Sequence, residues 1–303
     1  MKLSKSFIGL VTVSTIFVLY ASGLYTKFQS DSALEIVDFS IAKPASEKNI
    51  PSNPDRVPLY GDLHVHTKYS FDAYIFGVTA TPYDAYKYAI GEAIKHPLGF
   101  DMKLKEPLDF YAVTDHGFYM GMIENYADTS SKMSKNEWTM PMHNLNRPEN
   151  VTVESLGARA DLFSSVLTQA IIKPYPYWHP KVWKAWLTNN IQVALQSFDY
   201  DVHKSAWADV ANAAEEFNDP GKFTTFIGYE FTTSTDVEGG NLHRNVIFNS
   251  SDAPIRPWTR IDSINPEDLW TWMDGLRDQG LDSLAMPHNS NGSNGQMFEV
   301  ETF

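Results

Sequence analysis

In the stretch Tyr60-Gly-Asp-Leu-His-Val-His-Thr67, two histidines lie two residues apart between apolar neighbours. Residues at that spacing in a strand project to one side. The imidazoles of His64 and His66 would therefore converge at a distance that suits a divalent transition metal. Taken alone, such a pair is more often two histidines on an exposed strand face. Here the theme recurs at the ends of later apolar runs, in His116 of Thr114-Asp-His-Gly117, in Glu230 after Phe223–Tyr229, and in His288 of Met286-Pro-His288. His243 opens a further such run. The chain has no cysteine, which excludes a thiolate nucleophile, a disulfide and a Cys-type zinc site. Any metal must be held by His, Asp and Glu.

The elements that would carry these residues follow from local patterns. A first strand is expected over Val57–Thr67. After a loop with Ser70 and Asp72, Thr81-Pro-Tyr-Asp supplies an N-cap, a proline at N1 and an acid in the first turn of a helix running to about Ala93. Leu108–Thr114 reads as a second strand, Phe223–Tyr229 as a third, His243–Phe248 as a fourth and Leu281–Met286 as a fifth. Asn265-Pro266-Glu267 caps another helix that Gly280 stops. Residues 121–220 read mostly helical, with apolar spacing over Val153–Ile172 and Lys181–Phe198. Strands alternating with helices imply a mostly parallel α/β sheet, whose ligands gather at the carboxyl ends of the strands.

At 303 residues, 43% apolar and 20% charged, the chain has the composition of an ordinary globular protein. A net charge of −13 argues against a nucleic-acid partner, because phosphate contacts need clustered Lys and Arg. Lys2 and Lys5 precede an uncharged run from Phe7 to Leu24, with Ala21-Ser22-Gly23 near its end. Residues 1–24 thus read as a cleaved signal peptide or as an uncleaved membrane anchor. On either reading the remainder is exported, periplasmic or secreted. Residues 25–56 read as a linker.

Asp62-Leu-His-Val-His-Thr-Lys-Tyr-Ser-Phe-Asp72, Thr114-Asp-His-Gly117, Gly228-Tyr-Glu230 and Met286-Pro-His288 together resemble the ordered motifs of the polymerase and histidinol phosphatase (PHP) superfamily of metallo-hydrolases. The wording is most similar to a secreted, PHP-like branch classed as a domain of unknown function. The resemblance covers residues 57–303. It implies a distorted, seven-stranded, TIM-like β/α barrel with two or three divalent ions (Zn, Mn or Fe). It places His64 and His66 on a first ion and Asp72, or its loop, on another. His116 is a further ligand, Glu230 a bridging carboxylate and His288 the third-motif histidine, with His243 at a looser match. Two features depart from the pattern. No Asp-x-His follows His288, and Glu299-Val300-Glu301 resembles the strand before that pair, so a barrel incomplete at its C-terminus is expected. Residues 121–220 exceed the usual crossover and read as a helical insertion over the rim.

A cluster of divalent ions makes hydroxide from bound water near neutral pH, and in-line attack on phosphorus would need cations to hold the developing charge. Arg244 and Lys68 are the candidate cations, each weighed against an ordinary surface role. Asp115 and Asp62 could orient histidine N–H groups or simply cap turns. Asn289 could touch substrate or only shape its loop. His96, His143, His179 and His203 are expected to be structural, in loops or on helix surfaces. Tyr175, Tyr177, Trp178, Trp183 and Trp186 read as packing aromatics before a substrate platform. The expected function is an exported metal-dependent hydrolase acting on a small molecule, with phosphoesters first. Hydrolysis of another ester, an amide or a sulfate, and metal binding without turnover, are the competing expectations.

Overall fold

The computed structural model describes residues 33–41, 57–169, 198–234 and 240–298. The segment 1–24, the aromatic run around Trp178, His179 and Glu299–Glu301 lie outside the described residues. Among those described, no helix is long and apolar enough to cross a membrane.

Five strands build the frame of the site. β1 (Ile36–Asp38) precedes β2 (Gly61–Val65), which pairs in parallel with β5 (Phe110–Val113). β3 (Ile94–Lys95) and β4 (Asp101–Met102) form a small hairpin between them. β5 pairs in parallel with β6 (Thr224–Thr225), and the same strand direction resumes in β7 (Gly228–Phe231). A parallel bridge between His116 and Glu230, with Gly117 N–H donating to Glu230 O at 2.8 Å, joins the extended end of β5 to β7. β8 (Arg244–Phe248) then runs antiparallel to β7, and β10 (Ser283–Pro287) antiparallel to β8. β9 (Asp252–Pro254) pairs with β1, so the stretch read as a linker contributes a strand at Ile36–Asp38.

The expected seven-stranded β/α barrel does not form. The sheets are of two or three strands, most pairings are antiparallel, and β2 and β10 end the sheet order without pairing to each other. The reason lies in the connections. Parallel pairing needs a crossover of a dozen or more residues, usually a helix. Such crossovers join β2 to β5 and β5 to β6. Between β7 and β8 the described residues 232–234 and 240–243 contain no helix, so β8 returns beside β7 in the opposite direction.

The helices form where their end signals lie. α1 (Phe71–Ile75) is a single short turn, and α2 (Pro82–Ala89) begins with the expected capping box. Thr81 Oγ1 accepts from Asp84 N–H at 3.1 Å and the Asp84 carboxylate accepts from Thr81 N–H at 3.0 Å. α3 (Met122–Ala127) and α4 (Leu156–Gln169) belong to the long excursion, and α5 (Tyr200–Phe217) brings the chain back. Gly121, at φ 74°, starts α3 against α5; a Cβ there would meet Ala206 Cβ at 2.7 Å. α6 (Pro266–Arg277) is capped by Asn265, whose Oδ1 accepts from Glu267 N–H at 3.1 Å.

The pleat separates a core face from a site face. Tyr229, Phe231, Val246 and Phe248 are wholly or almost wholly buried in one cluster with Trp207 of α5 and Trp272 of α6. Removing one of these aromatics would cost roughly 3–5 kcal/mol. Glu230, between Tyr229 and Phe231, and Asn245, next to Val246, are cross-strand partners and point the other way. A second cluster unites Phe71 and Ile75 of α1 with Met122, Ile123, Tyr126, Met142 and Val166 of the excursion. Arg159, 3% exposed, donates to Ile75 O at 2.6 Å, Leu145 O at 2.8 Å and Asn150 O at 3.0 Å. The described excursion therefore buttresses α1 from the side.

His203 differs from the sequence expectation, being fully buried in α5 rather than on a helix surface. Burial, aided by nearby Arg256, pushes its pKa down to about 3. The unfolded chain takes up that proton near 6.5. Stability is therefore full above pH 6.5 and falls as pH drops towards 3, with a slope of about 1.4 kcal/mol per pH unit from this one proton. Urea unfolding from pH 7 to 4 should show a shallower pH slope for His203→Leu than for the wild-type chain; equal slopes would remove His203 from the account.

Candidate metal centre

The site is built where five strands reach one rim. His64 and His66 sit at and just past the end of β2, His116 follows β5, Glu230 lies in β7 and His288 follows β10. His243 precedes β8, and because β8 runs the opposite way its start reaches the same rim. His288 N–H donates to His243 O at 2.9 Å, which sets these two side by side.

Glu230 is the centre. Its Oε2 lies 3.0 Å from His66 Nε2, 3.1 Å from His116 Nδ1 and 4.0 Å from His64 Nε2, while Oε1 lies 2.8 Å from His243 Nδ1. Asp72 approaches from α1, with Oδ1 3.3 Å from His66 Nδ1 and Oδ2 3.4 Å from His116 Nε2. Three overlapping sets result: His64, His66 and Glu230; His66, Asp72 and His116; His116, Glu230 and His243. Within each, the ligand atoms lie within 4.8 Å of one another. His288 packs its ring against His64 with centroids 4.7 Å apart. All seven residues nominated as ligands in the sequence are thus brought to one place.

The donor chemistry fits divalent ions. Both oxygens of Glu230 and Nε2 of His66 are buried without a hydrogen bond of acceptable angle, although imidazole nitrogens stand close by. Buried polar atoms are normally satisfied. Carboxylate oxygens and imidazole nitrogens that converge at such short range are an arrangement a cation would complete.

The electrostatics agree. Burial opposes the charge on Glu230 and Asp72, yet the surrounding imidazoles, His116 foremost, hold both carboxyls well below their usual range. Burial likewise opposes a proton on His66, but Asp72 and Glu230 outweigh it and raise the ring to about 10. His64 and His243 are pushed down, chiefly by burial. Without a metal, positive charge for the two carboxylates is thus supplied by a proton on His66.

The ligand rings have uncharged partners that sequence reading did not identify. Ser70 Oγ lies 2.9 Å from His66 Nδ1, Thr232 Oγ1 2.5 Å from His116 Nδ1, and Asn245 Oδ1 3.1 Å from His64 Nδ1. For Asn245 a signal was present, since it lies two residues after His243 on a strand and so shares its face.

The other nominated residues are placed elsewhere. Arg244 stands on the opposite pleat face from Asn245 and lays its guanidinium 4.9 Å from the Trp270 ring. Lys68 Nζ donates to Glu124 Oε1 at 2.8 Å, beside a cavity of about 820 Å³ that none of the seven ligands lines. Asp115 is fully buried and accepts from Thr67 N–H at 2.5 Å and Thr67 Oγ1 at 2.7 Å, so it pins the loop after β2 instead of orienting a histidine ring. Burial raises its pKa to about 6. Asp62 accepts from the backbone of His64 at 2.9 Å, and Asn289 is exposed next to His288. His96 stacks on Phe100 and His143 lies 2.9 Å from Ser134 O, both outside the cluster.

Fold and site together define an α/β protein with a His/Asp/Glu cluster able to hold metal ions. A family model described as a protein of unknown function (DUF3604) matches residues 53–303, and the chain belongs to that family. No curated protein and no solved structure matches it.

Proposed function

We propose that this protein is an exported metal-dependent hydrolase of the PHP type, with phosphoesters as the first substrate class. The observation that carries the reading is the sharing of Glu230, His66 and His116 among three ligand sets. Ions held by such shared ligands would be close neighbours, as in hydrolases that clamp attacking and leaving groups with two metals.

His64, His66, Asp72, His116, Glu230 and His243 would hold the ions, with His288 beside them. Zn, Mn or Fe bound there would supply a Lewis acid and a water of lowered pKa. The chain's own part is to present the ligands, to hold them by Ser70, Thr232 and Asn245, and to close one side of the cluster with the β7–β8 core. One observation favours a second reading, hydrolysis of an uncharged ester or amide. Both nominated phosphate-binding cations are turned to other partners, Lys68 to Glu124 and Arg244 to Trp270.

The test is metal analysis of the purified full chain beside a His64→Ala/His66→Ala variant, followed by turnover on phosphoester, carboxylester and amide panels. The proposal expects two or more equivalents of metal, lost in the variant, and turnover that follows metal content. Phosphoester preference supports the first reading and carboxylester or amide preference the second. Metal without turnover on any panel would refute hydrolysis.

A further inference from the structure

We infer that the cavity beside Lys68 is a second binding site, built for a neutral, polyhydroxylated molecule of monosaccharide or disaccharide size. Its volume of about 820 Å³ falls in the range of roughly 300–1,000 Å³ usual for small-molecule sites. Among the described residues its walls are the loop after β2, Tyr74 of α1, Glu124 and Asn125 of α3, the segment around Asn146, and the first turns of α5. The loop after β2 divides it from the His/Asp/Glu cluster. Lys68 and Tyr69 line the cavity, while Ser70 sets its Oγ 2.9 Å from His66 Nδ1.

The chemistry of the walls selects the class of ligand. They carry the carboxylates of Glu124, Asp128 and Asp201 and the cations of Lys68 and Arg147. Lys68 Nζ already donates to Glu124 Oε1 at 2.8 Å. No net positive field remains to draw an anion, and a cation would meet Lys68 and Arg147. What the walls do offer is donors and acceptors side by side. An ammonium has three donors and a carboxylate two acceptor oxygens, so the Lys68–Glu124 pair leaves both kinds for further bonds. The Tyr74 hydroxyl has no partner among the described residues. Burial, aided by nearby Glu124, pushes its pKa up to about 12, so it keeps its proton to donate. Asn125 Oδ1 is buried without a hydrogen-bond partner, whereas buried acceptors are normally satisfied. A hydroxyl both donates and accepts, and a ring bearing several can meet such a mixed wall at several points. The rings of Tyr69 and Tyr74 add apolar surface for its C–H faces. The walls are also held in place beforehand: Tyr69 Oη donates to Asp209 Oδ2 at 2.6 Å, and Asn146 Nδ2 donates to Tyr74 O at 2.8 Å. Such preorganisation lowers the ordering cost of binding.

Calorimetry and saturation-transfer NMR on the full chain test this. The probes are glucose, galactose, N-acetylglucosamine, maltose and cellobiose, with inorganic phosphate and spermidine as charged controls. At least one sugar should bind with a Kd of about 10 mM or tighter, and neither control should displace it. Asn125→Ala and Tyr74→Phe each remove one hydrogen-bonding group and should weaken that sugar about 2–10-fold. Ser205→Trp fills the cavity from an exposed position on α5 and should abolish binding, with circular dichroism showing the fold kept. If that variant does not fold, the other two decide. No sugar bound, a charged control bound in its place, or sugar binding that none of the variants weakens overturns the inference. No readout here is turnover or metal content, so this site and the metal-dependent reading stand or fall separately.

Discussion

Replacing Glu230 by glutamine is expected to leave at most one metal position per chain. Glu230 belongs to two of the three ligand sets, and only His66, Asp72 and His116 form a set without it. The substitution keeps the shape of the side chain and removes its negative charge, along with the shared oxygen that His66, His116 and His64 face. Affinity at the two affected positions should fall by more than about 100-fold, the upper end of the loss when only a supporting partner is removed. Asp72→Asn provides the contrast, because it breaks only the set that Glu230→Gln preserves. Metal analysis after exhaustive dialysis separates them: at most one equivalent for Glu230→Gln, and up to two for Asp72→Asn. Wild-type stoichiometry in Glu230→Gln would contradict the central place given to this carboxylate.

The second large effect concerns stability. Arg256 and Asp262 are 1% and 2% exposed at their side chains and meet in a two-pronged pair, with contacts of 2.9 and 2.7 Å. Asp262 Oδ2 also accepts from Thr259 N–H at 2.9 Å. The loop that they hold is tied to the strand of Glu230 by Tyr229 Oη donating to Trp258 O at 2.9 Å. It is tied further on by Thr233 Oγ1 donating to Ile264 O at 2.6 Å. Asp262→Ala would remove one partner of a buried charge pair, a loss of roughly 3–5 kcal/mol. For a domain of this size that is a fall in Tm of roughly 10 °C. Calorimetry of Asp262→Ala beside Arg256→Met/Asp262→Leu should show the double variant recovering much of the loss, because replacing both charges by packed apolar groups is often neutral. A single-variant loss below about 1 kcal/mol would class the pair with weak surface bridges.

Apart from Asp72, which only the family likeness nominated, the candidate ligands were legible because each follows or opens a short apolar run, and the rim of a sheet collects strand ends whatever the exact topology. Legibility ended where direction mattered. His243 opens its strand, which in the expected mostly parallel sheet would set it away from the carboxyl-end rim; the antiparallel return of β8 puts it on that rim. Arg244, nominated as a candidate cation, and His243 are neighbours along the chain, and neighbours on a strand face opposite ways. Asn245, which shares the face of His243, was not nominated. The seven-stranded barrel was an implication of family likeness, and the antiparallel return of β8 beside β7 overrode it. His203 looked like a surface residue because sequence alone does not show that Ala206, Trp207 and Val210 turn the same side of its helix inwards.

The order of the ligands along the chain also sets an order of assembly. His66, Asp72 and His116 come from β2, α1 and the end of β5, and one loop of about fifty residues closes that set. The other two sets wait for Glu230 and His243, which follow the excursion and α5 along the chain. Loop length by itself adds little, about 0.6 kcal/mol per doubling; the delay comes from the long-range strand pairing that must be made first. If the proposed ions bind, a refolding chain would offer the first set at a partly folded stage and the remaining sets only as β7 and β8 join the sheet. On that reading chain order would make metal uptake sequential, and the uptake of later ions a report of completed folding.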